Sequence, residues 1–183
     1  MLRSTSIKKE SWKPVKLLAR QPIDGTMVGL SGTNDGDIIA VLSDTEVSIF
    51  NNRELVEKIP LDGGKEIHLV DFTNSIFIRT LDSLICYDFW GKLNWKYENL
   101  SKNSKIRISK NGNYIILANQ TKLYYLNQFG EVERDISLSS SIFEMSLSEE
   151  KQLIICNNEG LFLIEADDNF LNLSEQTDYS EIV

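Results

Sequence analysis

The chain has 183 residues, 42% of them hydrophobic, with a formal net charge of −8, two cysteines and a single histidine. That length buries roughly 70% of the surface an unfolded chain exposes, so folding requires neither metal nor disulfide, and the acidic balance disfavours a nucleic-acid backbone as partner. The longest apolar runs are about six residues against the ~20 that cross a bilayer, so no membrane partner is expected, and a cytoplasmic location is.

Cys86 and Cys156 stand far apart with no second cysteine beside either. That spacing gives neither a CxxC metal site nor a disulfide framework and fits two reduced, buried thiols. Charge is uneven along the chain: residues 1–20 sum to +5 and residues 165–183 to −6.

In chain order, residues 1–11 form a basic segment, followed by "SWKPVKLLARQP", whose Trp12 leads a short apolar stretch. Four similar stretches then follow at about 27–61, 67–100, 106–138 and 143–176, and residues 177–183 close the chain as an acidic tail. Ile38, Ile76, Tyr114 and Leu153 open the second apolar run of each stretch at steps of 38, 38 and 39, while Asn52, Gly91 and Gly130 mark a later turn at steps of 39. A fixed period near 40 points to a repeat architecture.

Each stretch holds four short runs of strand type. The second runs, "DIIAVL", "IFIRTL", "YIILAN" and "LIIC", are rich in β-branched and aliphatic residues, as strands covered on both faces are. Short polar connectors, Ser43-Asp44-Thr45, Asp82-Ser83, Asn119-Gln120-Thr121 and Asn158-Glu159-Gly160, separate the second from the third runs and carry hairpin chemistry. No stretch between Thr26 and Phe170 sustains helical periodicity. The fold class expected is all-β: an array of about four four-stranded antiparallel units stacked face to face about an axis.

The lines resemble the blades of WD-repeat-like and quinoprotein-like β-propellers over residues 12–176. Tyr87-Asp88, Gly91 and Trp95 are similar to the aspartate, glycine and tryptophan spacing by which quinoprotein-type repeats dock one blade on the next. That resemblance implies a positive φ at Gly91 and Gly130 and an indole wedged between blades at Trp95, whose counterparts by alignment are Ile59 or Val56, Arg134 and Leu171. The Gly-His pair and Trp-Asp dipeptide of true WD repeats are absent from the four lines, as are the quinone-site residues of quinoprotein dehydrogenases, so the resemblance implies architecture and no cofactor.

Three arrangements satisfy four blades: a closed ring, half of a ring completed by a second copy, or an arc finished by another protein. In the first, residues 12–20 would latch the last blade, and the oppositely charged ends would guide the closure at ~0–1 kcal/mol per exposed pair.

Candidate chemistry is sparse. With His68 alone, neither a Ser-His-Asp relay around a second base nor a two-imidazole metal site can be built. Asn34-Asp35-Gly36-Asp37 reads as a turn rather than a cation loop, Asp62-Gly63-Gly64 lacks the Lys-Ser/Thr of a phosphate loop, and the three Asn-x-Ser/Thr sequons are chance matches.

The chain is therefore expected to be a non-enzymatic protein-interaction scaffold, with self-association as one way to complete the propeller. One propeller face gathers the connections Asp62–Glu66, Leu100–Lys105 and Ser139–Ser141 with the second-to-third-strand turns, offering Asp82, Lys102, Lys105, Asn119 and Asn158. On the opposite face Trp90, at a turn tip with no packing partner assigned, is the expected hot spot. The alternative is a small-molecule or glycan-binding propeller, including a hydrolytic one, with its ligand in an axial mouth lined by His68, Asp71, Arg107 and Glu144.

Overall fold

The computed structural model describes residues 22–147 and 152–165. Sheet one comprises β1 (Met27–Gly32), β2 (Ile38–Ser43), β3 (Glu46–Asn51) and β4 (Glu54–Pro60). Sheet two comprises β5 (Glu66–Val70), β6 (Ser75–Arg79), β7 (Leu84–Asp88) and β8 (Leu93–Tyr97), with a short 3₁₀ turn at Asp71–Thr73 between its first two strands. Sheet three comprises β9 (Lys105–Ile108), β10 (Ile115–Asn119), β11 (Lys122–Leu126) and β12 (Val132–Ser137). Sheet four contributes β13 (Ile142–Leu147), β14 (Gln152–Asn157) and β15 (Gly160–Glu165).

Within every sheet the strands follow chain order and pair antiparallel. This is a β-propeller array. The expected last strand of the fourth repeat, the N-terminal latch at 12–20 and the acidic tail lie outside the described residues.

Alternation along each strand puts odd and even residues on opposite faces, and sheets two and three are apolar on both faces because each is sandwiched between neighbours. Ala40, Leu42, Val47 and Ile49 of sheet one meet Ile67, Ile76 and Ile78 of sheet two. Phe77, Leu84 and Cys86 of sheet two meet Ile106, Ile115, Leu117 and Leu126 of sheet three. Ile116, Ala118, Leu123 and Tyr125 of sheet three meet Ile142, Met145, Leu153, Ile155 and Ile164 of sheet four. A fully buried aliphatic side chain contributes about 1.5–3 kcal/mol, so these interfaces hold the array together.

The register corrects one detail of the sequence alignment. Ile38 pairs with Asn51, Ser75 with Asp88, and the Tyr114 carbonyl accepts from Ser109 as the Ile38 carbonyl does from Thr33. Ser75 is therefore the counterpart of Ile38 and Tyr114, and Ile76 and Leu153 sit one residue later, on the other face. The cause is local. Ser75 is a buried serine whose Oγ donates to the Thr73 carbonyl 3.0 Å away, so the strand begins on a polar residue and its apolar run begins one position late.

Candidate interaction surface

Antiparallel order sends the first-to-second and third-to-fourth turns of sheets one, two and three to one rim of the array, and the remaining described connections to the other. The first of these is the lower rim here, the second the upper rim.

On the lower rim, Asp88 and Asn127 occupy the same position in sheets two and three and build the same turn. The Asp88 carboxylate accepts from the Trp90 and Lys92 amides at 2.9 and 2.8 Å, and the Asn127 side chain accepts from the Phe129 and Glu131 amides at 3.0 and 3.1 Å. Gly91 and Gly130 then take φ of +83° and +79°, which only glycine adopts without strain.

The turns carry Trp90 and Phe129 at their tips, 64% and 65% exposed. Phe72, in the 3₁₀ turn on the same rim, is 76% exposed. Leu55, Leu93 and Val132, at register-equivalent positions at or next to the start of the three outer strands, are exposed as well. The sequence carried a signal for Phe129: Asn127-Gln128-Phe129-Gly130 aligns residue for residue with Asp88-Phe89-Trp90-Gly91.

Trp95 does dock one sheet on the next. Its indole Nε1 donates to the Gln128 carbonyl at 2.9 Å, its ring stands 5.9 Å from that of Phe77, and a Cβ on Gly130 would lie 2.5 Å from Trp95 Cδ2. The same seat in sheet one is shared by Glu57, the register counterpart of Trp95, and the expected Ile59: a Cβ on Gly91 would lie 2.6 Å from Glu57 Cγ and 3.3 Å from Ile59 Cδ1. Arg134 is the register counterpart in sheet three, and Leu171 lies outside the described residues.

On the upper rim, the second-to-third-strand turns share a cap that composition alone did not reveal. Ser43, Thr80 and Asn157 hold equivalent positions, and each side-chain oxygen accepts from the amides two and three residues on: Thr45 and Glu46, Asp82 and Ser83, Glu159 and Gly160. Asn119, at the fourth such position, instead accepts from the Ser101 amide and the Ser104 hydroxyl at 3.2 and 3.0 Å and donates to the Asn99 carbonyl, tying down the loop from sheet two to sheet three. Asp82 accepts from the Ser83 and Thr80 hydroxyls, which hold its carboxyl below the usual range. Asn158 lies exposed at the β14–β15 turn.

Lys102 and Lys105 border a groove of about 660 Å³, with Glu66, Arg79, Gln120 and Phe143 also lining it. Thus the upper-rim candidates divide into Lys102 and Lys105 at the groove, Asp82 and Asn158 on separate turns, and Asn119 engaged within the scaffold.

The first strands of sheets two, three and four carry the polar side chains Glu66, His68, Lys105, Arg107 and Glu144. Glu66, Lys105 and Glu144 are register equivalents in sheets two, three and four. Glu144 takes Lys105 at 3.0 Å and Arg107 at 2.7 Å, an ion pair between sheets, and the Lys105 bond leads the Met145 amide and the cations in lowering its pKa. For Glu66, burial works to raise the pKa, but His68 and Arg79 together outweigh it and the carboxyl lies below its usual range. Asp71 accepts from the Asn34 amide at 3.0 Å and links the lower-rim turns of sheets one and two.

No protein-family model matches the sequence, and neither does any curated protein. Solved structures do superpose on it. The WD40 β-propeller domain of Doa1 matches with a TM-score of 0.62 at 13% identity over 82% of this chain and 54% of that one. BamB from Moraxella catarrhalis gives 0.57 at 15% identity over 77% and 42%, and the dihydro-heme d1 dehydrogenase NirN gives 0.66 at 15% identity over 82% and 37%. The chain therefore has a β-propeller fold and spans about half the length, or less, of the propellers it superposes on.

Proposed function

We propose that this chain is a non-enzymatic protein-interaction module whose docking surface is the lower rim. The observation that carries the proposal is the exposed aromatic set Phe72, Trp90 and Phe129, bordered by the exposed Leu93 and Val132. Trp90 and Phe129 stand on hydrogen-bonded glycine turns, so they offer apolar area already fixed in position, and aromatic anchors of that kind dominate interface energetics. The WD40 and BamB propellers supply a fold-level likeness. Association with a second copy of the chain belongs to the same proposal.

The first-strand carboxylates Glu66 and Glu144 support a role without glycosidic hydrolysis. Hydrolysis of a glycosidic bond needs one carboxyl kept protonated near neutral pH, whereas Glu66, by His68 and Arg79, and Glu144, by the Lys105 hydrogen bond, are both held toward the ionised form. The upper-rim groove supports a second reading, a small-molecule or glycan site, through its volume and its mixed lining. Thermal-shift screening of oligosaccharides against wild type and Lys102→Ala tests that reading. It gains support from a ligand-induced rise in melting temperature that the variant loses.

The principal test is recovery of native-source partners on immobilised wild type and on a Trp90→Ala/Phe129→Ala double variant. The proposal expects a partner retained by the first and lost by the second at unchanged melting temperature. Equal recovery on both would refute the lower rim as the docking surface.

A further inference from the structure

The upper-rim groove is cationic in an acidic molecule. Arg79, Lys102 and Lys105 line it with one carboxylate, Glu66, whereas the chain as a whole has a net charge of −8. Its volume of about 660 Å³ is that of a small-ligand pocket and not of a flat docking surface.

The three cations differ in what they already hold. Lys105 stands 3.0 Å from Glu144, on the first strand of sheet four. Arg79 is only 9% exposed, yet among the described residues its guanidinium makes one hydrogen bond, from Nη1 to the Thr80 carbonyl at 3.5 Å. Its Nε lies 3.4 Å from Glu66 Oε2 without a hydrogen bond, so a buried group with five N–H donors leaves most of them unused. Buried donors of that kind cost free energy until an acceptor reaches them. Lys102 is exposed and has no ion pair among the described residues.

The loop that carries Lys102 is pinned on both sides of it. The Ser104 amide donates to the Ser101 carbonyl at 2.9 Å, and the Asn119 side chain accepts from the Ser101 amide and from the Ser104 hydroxyl. The backbone beneath the ammonium is therefore fixed before any ligand arrives. The same groove carries Phe143, an aromatic ring 51% exposed, and the side-chain amide of Gln120.

We propose, deepening the small-molecule or glycan reading of this groove and resting on it, that its ligand is an acidic saccharide whose carboxylate lies between Arg79 and Lys102. A planar carboxylate matches the guanidinium fork, a sugar ring packs on Phe143, and the Gln120 amide bonds to hydroxyls. Glu66 and Glu144 already face Arg79 and Lys105, so Lys102 carries the uncompensated charge that selects an anion over a neutral sugar.

The experiment is isothermal titration calorimetry of the full chain with oligogalacturonate and with its methyl ester, which has the same rings and no charge. The acid is expected to bind at least about tenfold tighter than the ester, by an advantage that shrinks as sodium chloride is raised. Lys102→Gln is expected to lose about that tenfold for the acid and to leave the ester unchanged, while Phe143→Ala weakens both. Both side chains are exposed, so the melting temperature of each variant is expected to match wild type.

Equal affinities for acid and ester overturn the anion preference and leave the groove a glycan site. Acid binding that neither variant weakens places the ligand elsewhere and overturns the inference together with the reading beneath it. Binding of neither probe overturns the acidic ligand, and the underlying reading then stands or falls on the thermal-shift screen, so the two failures are separable.

Discussion

Trp95 joins a neutral hydrogen bond to aromatic packing, and two substitutions separate them. Trp95→Phe keeps a ring beside Phe77 but loses the bond to the Gln128 carbonyl, and is expected to cost about 1 kcal/mol in urea unfolding. Trp95→Ala loses both and is expected to cost about 3 kcal/mol, toward the lower end for a large aromatic because the indole is only half-buried. Equal costs would mean that the ring packing is worth nothing.

The thiols divide in the same way. Burial pushes the Cys86 thiol up to about 11, so it stays protonated and inaccessible at neutral pH, while Cys156 is partly exposed. A disulfide reagent at pH 7.5 is expected to label Cys156 first and Cys86 only on unfolding; simultaneous labelling would contradict the burial of β7.

Among the elements, the second-to-third-strand turns of sheets one, two and four owe their shape to one side chain each. Thr80→Ala removes the acceptor for the Asp82 and Ser83 amides and is expected to cost about 1 kcal/mol, measured by thermal or urea unfolding. Thr80→Ser, which keeps the hydroxyl, should recover most of it.

Between elements, Glu144 bridges sheets three and four through Lys105 and Arg107. Its folded pKa lies below the ordinary 4.5, so its contribution is present above that value and is lost as pH falls through the lower folded pKa. Melting temperature is therefore expected to drop on acidification below about pH 4.5, less steeply in Glu144→Gln than in wild type. Identical slopes would show that the bridge is absent in solution.

The strands were legible because their apolar runs are short, β-branched and punctuated by polar turns at a fixed period. Which face a residue occupies was less so: Ser75 hides a strand start, and a shift of one position reverses every side chain. The caps Ser43, Thr80 and Asn157 use three residue types for one geometric task, so no repeated letter announces them. Lys102 and Lys105 could be placed on one connection, but their convergence with Arg79 and Phe143 on a common groove depends on sheet stacking. Likewise Phe129 gains meaning beside Trp90 only once the two turns are superposed.

At the scale of the whole molecule, stacking rather than pairing is the organising force. Each sheet hydrogen-bonds internally, and the sheets adhere through apolar faces in fixed register, supplemented by Trp95 and by the Lys105–Glu144 contact. The rims inherit their display from that stacking, so the interfaces set the spacing of the lower-rim turns.

A double-mutant cycle on Trp95 and Gly130 tests the stacking most directly, because those residues touch only if sheet two leans on the turn of sheet three. Gly130→Ala is expected to be severe in wild type, where the new methyl meets the indole in addition to the φ of +79°. In a Trp95→Ala background only the backbone strain remains, as it would for Gly36→Ala, whose φ is +78° with nothing within 4 Å. The account predicts that Gly130→Ala costs at least about 1 kcal/mol less in that background than in wild type, and strictly additive costs would contradict it.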